Sequence, residues 1–168
     1  MKLILIGFMG SGKSCVAQFI AENLNLPLIE MDKEIEKKAG KSIKEIFAEL
    51  SETAFRHMEI DLAQELKAEK HAIISTGGGV VMNKIILDYL KEHDGKVIFL
   101  DTSFEMLSKR LEHDSSRPLF QDKDKEKAKE LYNFRMPLYQ KYADIHIKTD
   151  KKTIEDIALE VMNEIHTV

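Results

Sequence analysis

The chain has 168 residues, a net charge of −4 and an ordinary globular composition, so we expect one domain spanning residues 1–168. The negative charge gives no support to nucleic-acid or membrane-surface binding, and no apolar stretch approaches the length of a membrane span. A single cysteine excludes a disulfide framework, and we expect a cytoplasmic protein that acts as a monomer.

Short apolar runs alternate with segments of helical periodicity along the chain. Five runs are predicted strands: Lys2–Ile6, Pro27–Glu30, His71–Ser75, Lys96–Leu100 and Asp144–Lys148. This alternation predicts an α/β fold of three layers, in which a five-stranded parallel sheet carries helices on both faces. Ligands of such sheets bind beyond the C-terminal strand ends, so the residues that follow each strand are the first site candidates.

Three segments have the Ser/Thr-x-x-acid form of a capping box, which predicts the start of a helix. They begin at Ser42, Thr102 and Thr153. Asp101 ends an apolar run of Walker B form. Because a capping box follows it directly, we expect Asp101 in a strand-to-helix turn.

The segment Gly7–Ser14 has the phosphate-binding pattern G-x-x-x-x-G-K-[ST] and lies between a predicted strand and an amphipathic helix. Its glycines let backbone N–H groups surround phosphate oxygens, and the helix N-terminus adds a positive dipole end. Lys13 is expected to reach the β- and γ-phosphates, and the Ser14 hydroxyl to ligate Mg²⁺. This P-loop therefore predicts nucleotide binding.

Two segments interrupt the simple alternation of strands and helices. Residues 32–70 are too long for one crossover helix, and we expect two or three helices that form an inserted substrate-binding subdomain. Residues 112–124 are polar, contain Pro118 and precede a helical stretch. They are expected to form a mobile lid.

The sequence contains 21 lysines and only four arginines. The four are Arg56, Arg110, Arg117 and Arg135. The planar arginine side chain binds carboxylates and phosphates bidentately, and this lysine-rich chain uses arginine only near the predicted subdomain and lid. Each arginine alone is compatible with a structural ion pair, but the set favours an acidic substrate and a phosphate.

Polar residues and glycines follow the second and third predicted strands. Glu30 and Asp32 point to Mg²⁺ binding through water, or to a base for a substrate hydroxyl. The alternative for Asp32 is a helix N-cap. Gly77, Gly78 and Gly79 allow the backbone to approach a ligand closely, and the alternative is an ordinary tight turn.

The chain resembles the shikimate kinases, which are small-molecule kinases of the P-loop class. The resemblance covers nearly the whole sequence and rests on a combination of short motifs rather than on the P-loop alone. They are Glu30-Met31-Asp32, Glu34-Ile35-Glu36, Gly40-Lys41-Ser42-Ile43, Glu45-Ile46-Phe47, Glu52, Phe55-Arg56, Glu59, Gly77-Gly78-Gly79, Arg117-Pro118-Leu119, and Arg135 with Pro137-Leu138-Tyr139.

On the nucleotide side, the resemblance implies that Lys13 and the loop backbone hold the phosphates of ATP, the co-substrate. The implied contacts are Gly10, Ser11, Gly12, Lys13, Ser14, Cys15, Arg110 and Arg117. Arg117 would close from the lid onto the phosphates, and Arg110 would stack on adenine. Considered by itself, Cys15 is expected to be a small packed residue.

On the acceptor side, the resemblance implies that Asp32 grips the ring hydroxyls of shikimate and is the candidate base. Arg56 and Arg135 would hold the shikimate carboxylate, and Gly77–Gly79 would line the ring. The implied catalytic residues are Lys13, Asp32 and Arg117.

Three positions depart from the family pattern. Glu30 stands where aspartate is usual, which leaves its contact with Mg²⁺ open. Ser51 stands where glycine is usual. The segment Thr149–Thr153 lacks an expected proline, so its packing on the base is open.

Two other functions remain compatible with the residues. One is a P-loop kinase for another small acceptor, such as gluconate or a nucleoside monophosphate. Gluconate is also a polyhydroxy acid, so only the family motifs argue against it. The other is a nucleotide-gated binding module without acceptor chemistry.

Overall fold

The structure is a computed structural model that describes residues 1–111 and 124–167. The predicted lid therefore lies outside the described residues except for Asp124, and Arg117 lies outside them as well.

Within the described ranges, five parallel strands form a single sheet in the order β2-β3-β1-β4-β5. The strands are β1 (Lys2–Ile6), β2 (Leu28–Glu30), β3 (Ala72–Ser75), β4 (Lys96–Asp101) and β5 (Ile145–Lys148). The predicted sheet is confirmed. Asp101 is the last residue of β4 rather than part of a turn, and its carboxylate pairs with Lys148 on the neighbouring strand β5.

Helices connect the strands and cover both faces of the sheet, which confirms the three-layer α/β fold. They are α1 (Lys13–Leu24), α2 (Met31–Ala39), α3 (Ile43–Glu49), α4 (Glu52–Leu66), a short 3₁₀ helix (Val80–Met82), α5 (Lys84–Lys91), α6 (Phe104–Leu111), α7 (Lys125–Tyr142) and α8 (Ile154–Thr167). Helices α2, α3 and α4 occupy the segment for which two or three helices are predicted.

The side chains of β1 alternate between two apolar cores. Leu3 and Leu5 pack with α1 and α8 on one face. Ile4 and Ile6 pack on the other face with apolar residues of α2 to α7. Because both faces are covered, β1 is apolar from Leu3 to Ile6, as expected of a central parallel strand. Its C-terminal end leads directly into the phosphate loop.

Two of the three predicted capping boxes are present. The Ser42 and Thr153 hydroxyls accept from the N–H groups of Glu45 and Asp156, at 3.2 and 3.1 Å. The prediction for Thr102 is wrong. Its hydroxyl is buried and bonds the Thr149 hydroxyl at 2.6 Å, while Ser103 caps the N–H of Met106 at 3.3 Å.

Over the part of the chain that the structure describes, no helix combines the length and apolar character needed to cross a membrane.

Candidate active site

The phosphate loop turns sharply between β1 and α1 because glycine permits backbone angles that other residues rarely adopt. Gly10 and Gly12 have φ values of 80° and 91°. A β-carbon on Gly10 would also lie 2.7 Å from Leu111 Cδ1, so the loop packs closely against the end of α6. The predicted strand–loop–helix arrangement is therefore present.

Lys13 opens α1 and folds back across the phosphate loop. Its Nζ donates to the carbonyls of Gly7 and Phe8, at 2.8 and 3.0 Å, and the residue is only 9% exposed. This arrangement keeps a cation beside the N-terminus of a helix, where anions bind readily.

Glu30 ends β2 beside the same helix start. Burial tends to raise the pKa of Glu30, but hydrogen bonds from Lys33 and Ser14 outweigh it, so the pKa lies below its ordinary value. The carboxylate is therefore ionised at neutral pH and close to the Ser14 hydroxyl. This pairing of hydroxyl and carboxylate suits a hard cation.

A cavity of about 220 Å³ opens at this edge of the sheet. It is lined by Met9, Gly10, Gly12, Lys13, Ser14, Cys15, Asp32, Thr76 and Gly78. Asp32 thus shares one cavity with Lys13 and Ser14. Glu30 occupies the N-cap position of α2 and Asp32 lies within the helix, so the N-cap alternative for Asp32 is wrong. Cys15 is exposed rather than packed, which corrects the other expectation.

A larger and more open depression, about 490 Å³, lies between the length of α5 and the C-terminal end of α7. It is lined by Lys84, Leu87, Asp88, Lys91, Glu92, Lys141 and Tyr142. It borders the N-terminal ends of β4 and β5, opposite the phosphate loop, and size alone does not make it a site.

The segment Gly77–Gly79, called here the glycine turn, allows two polar groups to approach the backbone. A β-carbon on Gly77 would lie 2.8 Å from Asp32 Oδ1, and one on Gly79 would lie 2.4 Å from both terminal nitrogens of Arg56. Side chains at Gly77 or Gly79 would therefore displace Asp32 or Arg56, two of the predicted site residues.

Arg56 lies on α4 and is held by carboxylates on the same helix. Its Nη1 donates to Glu59 at 2.6 Å, and its Nη2 donates to the more exposed Glu52 at 3.1 Å. Burial raises the pKa of Glu59 above its ordinary value, although Arg56 and Arg135 act to lower it. The two arginines, Asp32 and Glu59 thus lie within electrostatic range of one another.

The motif comparison included Glu59 but assigned it no role, and the structure shows it supporting Arg56. Its side chain is 1% exposed and shares the buried face of α4 with Phe55 and Leu62. A carboxylate on an apolar helix face was the sequence signal that could have identified it.

Arg135 lies on α7, 7% exposed, with its guanidinium 5.9 Å from the centre of the Phe8 ring. Its Nε and the Oε1 of Glu59 are buried without a hydrogen-bond partner among the described residues. Such buried groups are costly unless something pairs with them, and either water or a polar ligand would supply the missing partner.

Arg110 lies on the nucleotide side of the phosphate loop. Its Nη1 donates to the Gly10 carbonyl at 3.2 Å, and its charge contributes to lowering the pKa of Asp150 in the loop before α8. Burial opposes that shift, and hydrogen bonds from Ser103 outweigh it. Arg110 and the Thr149–Thr153 segment are therefore neighbours.

The described residues contain no group of three or more His, Cys, Asp or Glu side chains that could enclose a metal ion. A cation here would need ligands from a nucleotide and water as well as from Ser14. Mg²⁺ has this preference, because it keeps several waters and binds through few protein ligands plus phosphates. The residues present therefore fit Mg²⁺ brought in with a nucleotide.

Sequence comparison with known proteins gives matches over nearly the whole chain. The family model described as shikimate kinase matches residues 9–166. The shikimate kinase of Persephonella marina is 39% identical over 163 residues, which cover 97% of this chain and 98% of the relative.

Solved structures agree with the sequence relatives. The shikimate kinase from Acinetobacter baumannii, solved in complex with shikimate, matches with a TM-score of 0.91 at 33% identity, covering 99% of this chain and 93% of that one. The shikimate kinase from Aquifex aeolicus matches with a TM-score of 0.87 at 34% identity, covering 99% and 96%.

Proposed function

The chain belongs to the shikimate kinase family and is an ATP-dependent phosphotransferase, and we propose that it transfers the γ-phosphoryl group of ATP to the 3-hydroxyl of shikimate. The products are shikimate 3-phosphate and ADP. The observation that carries the proposal is the position of Asp32. It lines the cavity of Lys13 and Ser14 and also abuts Gly77 of the glycine turn, in which Gly79 lies against Arg56.

On the nucleotide side, we propose that Lys13 and the loop amides of Gly10, Ser11, Gly12, Ser14 and Cys15 hold the phosphates. Ser14 would ligate Mg²⁺ directly, and Glu30 would hold it through water. When bound, Mg²⁺ neutralises charge on the β- and γ-phosphates. Arg110 would pack on the adenine, and Arg117 would contact the phosphates from the lid.

On the acceptor side, we propose that Arg56 and Arg135 form the carboxylate clamp for shikimate, with Gly77–Gly79 along its ring. Glu59 keeps Arg56 oriented, and its Oε1, which none of residues 1–111 or 124–167 pairs with, would accept a hydrogen bond from the ligand. Two arginines suit a carboxylate because each guanidinium group presents planar, parallel N–H donors that the two carboxylate oxygens accept. Two buried polar atoms that have no partner among the described residues, Arg135 Nε and Glu59 Oε1, support a ligand that brings both a carboxylate and hydroxyl groups.

The transferred phosphoryl group passes through a loose transition state, so positioning and charge stabilisation dominate catalysis. In the proposed reaction, the shikimate hydroxyl oxygen bonds to the γ-phosphorus while the bond to the β-γ bridging oxygen breaks. Asp32 orients the hydroxyl and accepts its proton. Lys13 and Arg117 stabilise the charge that shifts to the leaving ADP.

We further propose that α2, α3 and α4 form the substrate-binding subdomain of a single domain, with residues 112–124 as its lid. The enzyme would act as a monomer in the cytoplasm. Its single cysteine is compatible with a reducing compartment, where disulfides are rare.

The proposal is tested by measuring ADP release from MgATP by the purified protein, with shikimate, gluconate or AMP as acceptor. We expect turnover that depends on shikimate and is absent with the other two. Turnover with gluconate or AMP would support kinase activity but contradict the proposed carboxylate clamp for shikimate. ATP binding without acceptor-dependent ADP release would favour a nucleotide-gated binding module.

A further inference from the structure

Tyr139 lies on α7 one turn beyond Arg135, and its side chain is completely buried. Its ring stacks on Phe99 of β4, with 5.2 Å between the ring centres and 14° between the planes. The hydroxyl donates a hydrogen bond to the carbonyl of Gly78 in the glycine turn. A core residue therefore bonds to the backbone segment that is proposed to line the shikimate ring.

The same hydroxyl also lies near Arg135 of the proposed carboxylate clamp. Burial raises the pKa of Tyr139 well above its usual range, while the positive charge of Arg135, one turn earlier on α7, acts in the opposite direction. The phenol thus keeps its proton, which it donates to Gly78, and its oxygen lies within electrostatic range of Arg135. One buried hydroxyl therefore lies between the clamp and the glycine turn.

The glycine turn needs such a restraint because its residues have no side chains to limit backbone rotation. The peptide after Gly78 is trans, so its carbonyl and the following N–H point in opposite directions. By holding the Gly78 carbonyl, Tyr139 also sets the direction of the Gly79 N–H. Gly79 lies directly against the Arg56 guanidinium.

We propose that Tyr139 is a positioning residue for the acceptor, whose hydroxyl holds Arg135 and the glycine turn at a fixed spacing so that shikimate binds in one orientation. The inference rests on the proposed function and extends it to a residue that does not line the cavity. It predicts that removal of the Tyr139 hydroxyl weakens the binding of shikimate and leaves the binding of ATP unchanged.

The test compares Tyr139→Phe with Tyr132→Phe. Tyr132 is also on α7, and its hydroxyl donates to the Thr102 carbonyl at 3.0 Å, so each variant removes one hydroxyl bonded to a backbone carbonyl. For Tyr139→Phe we expect the KM and Kd for shikimate to rise about five- to tenfold, with kcat changed less than about threefold and the KM for ATP unchanged. Tyr132→Phe should leave the shikimate values unchanged.

Two further measurements separate positioning from loss of structure. Direct shikimate binding is measured below the melting temperature of each variant and expressed per folded molecule, as determined by circular dichroism. In an Arg135→Lys background, Tyr139→Phe should weaken shikimate binding by less than about twofold, because the link has already been altered.

The possible failures are distinguishable. If the unmodified protein does not phosphorylate shikimate, the proposed function fails and this inference with it. If the unmodified protein is active but Tyr139→Phe binds shikimate equally well, or loses shikimate and ATP affinity equally, the positioning role is wrong. If Tyr139→Phe still raises the Kd for shikimate about five- to tenfold in the Arg135→Lys background, the link to Arg135 is wrong.

Discussion

Arg56 Nη1 donates to Glu59 Oε2 at 2.6 Å, one turn along α4, although the Glu59 side chain is only 1% exposed. The contact fixes the guanidinium against Gly79 and leaves the second carboxylate oxygen beside Gly77. A buried charge is tolerated when it is paired, so neither residue can be changed without altering the other.

Replacing Arg56 by Lys should damage the acceptor site and spare the nucleotide site. A lysine retains the charge but loses the planar pair of donors that binds a carboxylate bidentately. We expect the KM for shikimate to rise about 10- to 100-fold, with the KM for ATP changed less than about twofold. Steady-state kinetics with each substrate varied in turn measure both values.

Arg110→Lys is the matched control for this change, because Arg110 lies beside the phosphate loop instead. It should affect the KM for ATP and leave that for shikimate nearly unchanged. Equal losses of both affinities in Arg56→Lys would contradict its role in the clamp.

Glu59 should give the protein a specific pH dependence of stability. Burial raises the pKa of Glu59 in the folded state, so the contribution of this carboxyl to the free energy of unfolding is fully present below its ordinary pKa of 4.5. The contribution is lost as the pH rises through the folded-state pKa. Glu59→Gln removes this loss. The melting temperature of the variant relative to the unmodified protein should therefore increase from about pH 4 to about pH 7.

Glu52→Gln removes the other carboxylate that holds Arg56, but this side chain is 69% exposed. Its melting temperature relative to the unmodified protein should change little over the same pH range, since solvent screens exposed pairs. A pH trend of the same size in both variants would show that burial of Glu59 is not its cause.

Lys13→Ala should lower kcat by about 10²- to 10³-fold, the usual effect of removing one transition-state donor. Lys38→Ala removes an exposed lysine that pairs with Glu65 and should leave kcat unchanged. ADP release at saturating substrates measures both. A loss below about tenfold for Lys13→Ala would contradict its place on the transferred phosphate.

Cys15 should report nucleotide binding. It is exposed, it lines the cavity beside Lys13, and it is the only cysteine in the sequence. Alkylation by iodoacetamide should slow about tenfold when MgATP is present at about ten times its Kd, because a bound nucleotide covers the thiol. Shikimate alone should not slow it. Equal rates of alkylation with and without MgATP would contradict binding of the ATP phosphates beside Cys15.

Ser51→Gly should stabilise the protein. Ser51 caps α4 with a φ of 145°, a value that favours glycine, which is the residue we expect at this position from the family pattern. The relief of strain, about 2 kcal/mol, exceeds the summed costs of glycine, which are a few tenths of a kcal/mol for the weaker N-cap and about 0.5–1 kcal/mol for the added chain entropy. We expect a melting temperature about 2–4 °C higher, measured by thermal denaturation.

Ser42→Gly is the comparison, because Ser42 caps α3 with a φ of −66° and a complete capping box. This variant gains no relief of strain and loses the cap, so it should lower the melting temperature. If Ser51→Gly destabilises the protein as much as Ser42→Gly, the backbone at Ser51 is not strained.

The features that sequence reasoning predicted are those encoded locally. The P-loop occupies one continuous segment, and each strand is a short apolar run. Thr102 was misassigned because its hydroxyl bonds Thr149, a residue 47 positions away that no local pattern reveals. The link from Tyr139 to Gly78 spans 61 positions and was missed for the same reason.

Glu59 is an intermediate case. Its position on the buried face of α4 follows from periodicity, but its partner could not be chosen from sequence alone. Glu59 could have paired with Arg56, with Arg135 or with a ligand. Only the packing of α4 against the glycine turn shows that it supports Arg56.

The most direct test of the central claim is to identify the product by phosphorus and proton NMR after incubating the protein with MgATP and shikimate. We expect shikimate phosphorylated on the 3-hydroxyl, because in the proposed function the clamp and Asp32 present that oxygen to the γ-phosphate. Phosphate on another hydroxyl, or release of inorganic phosphate alone, would contradict it.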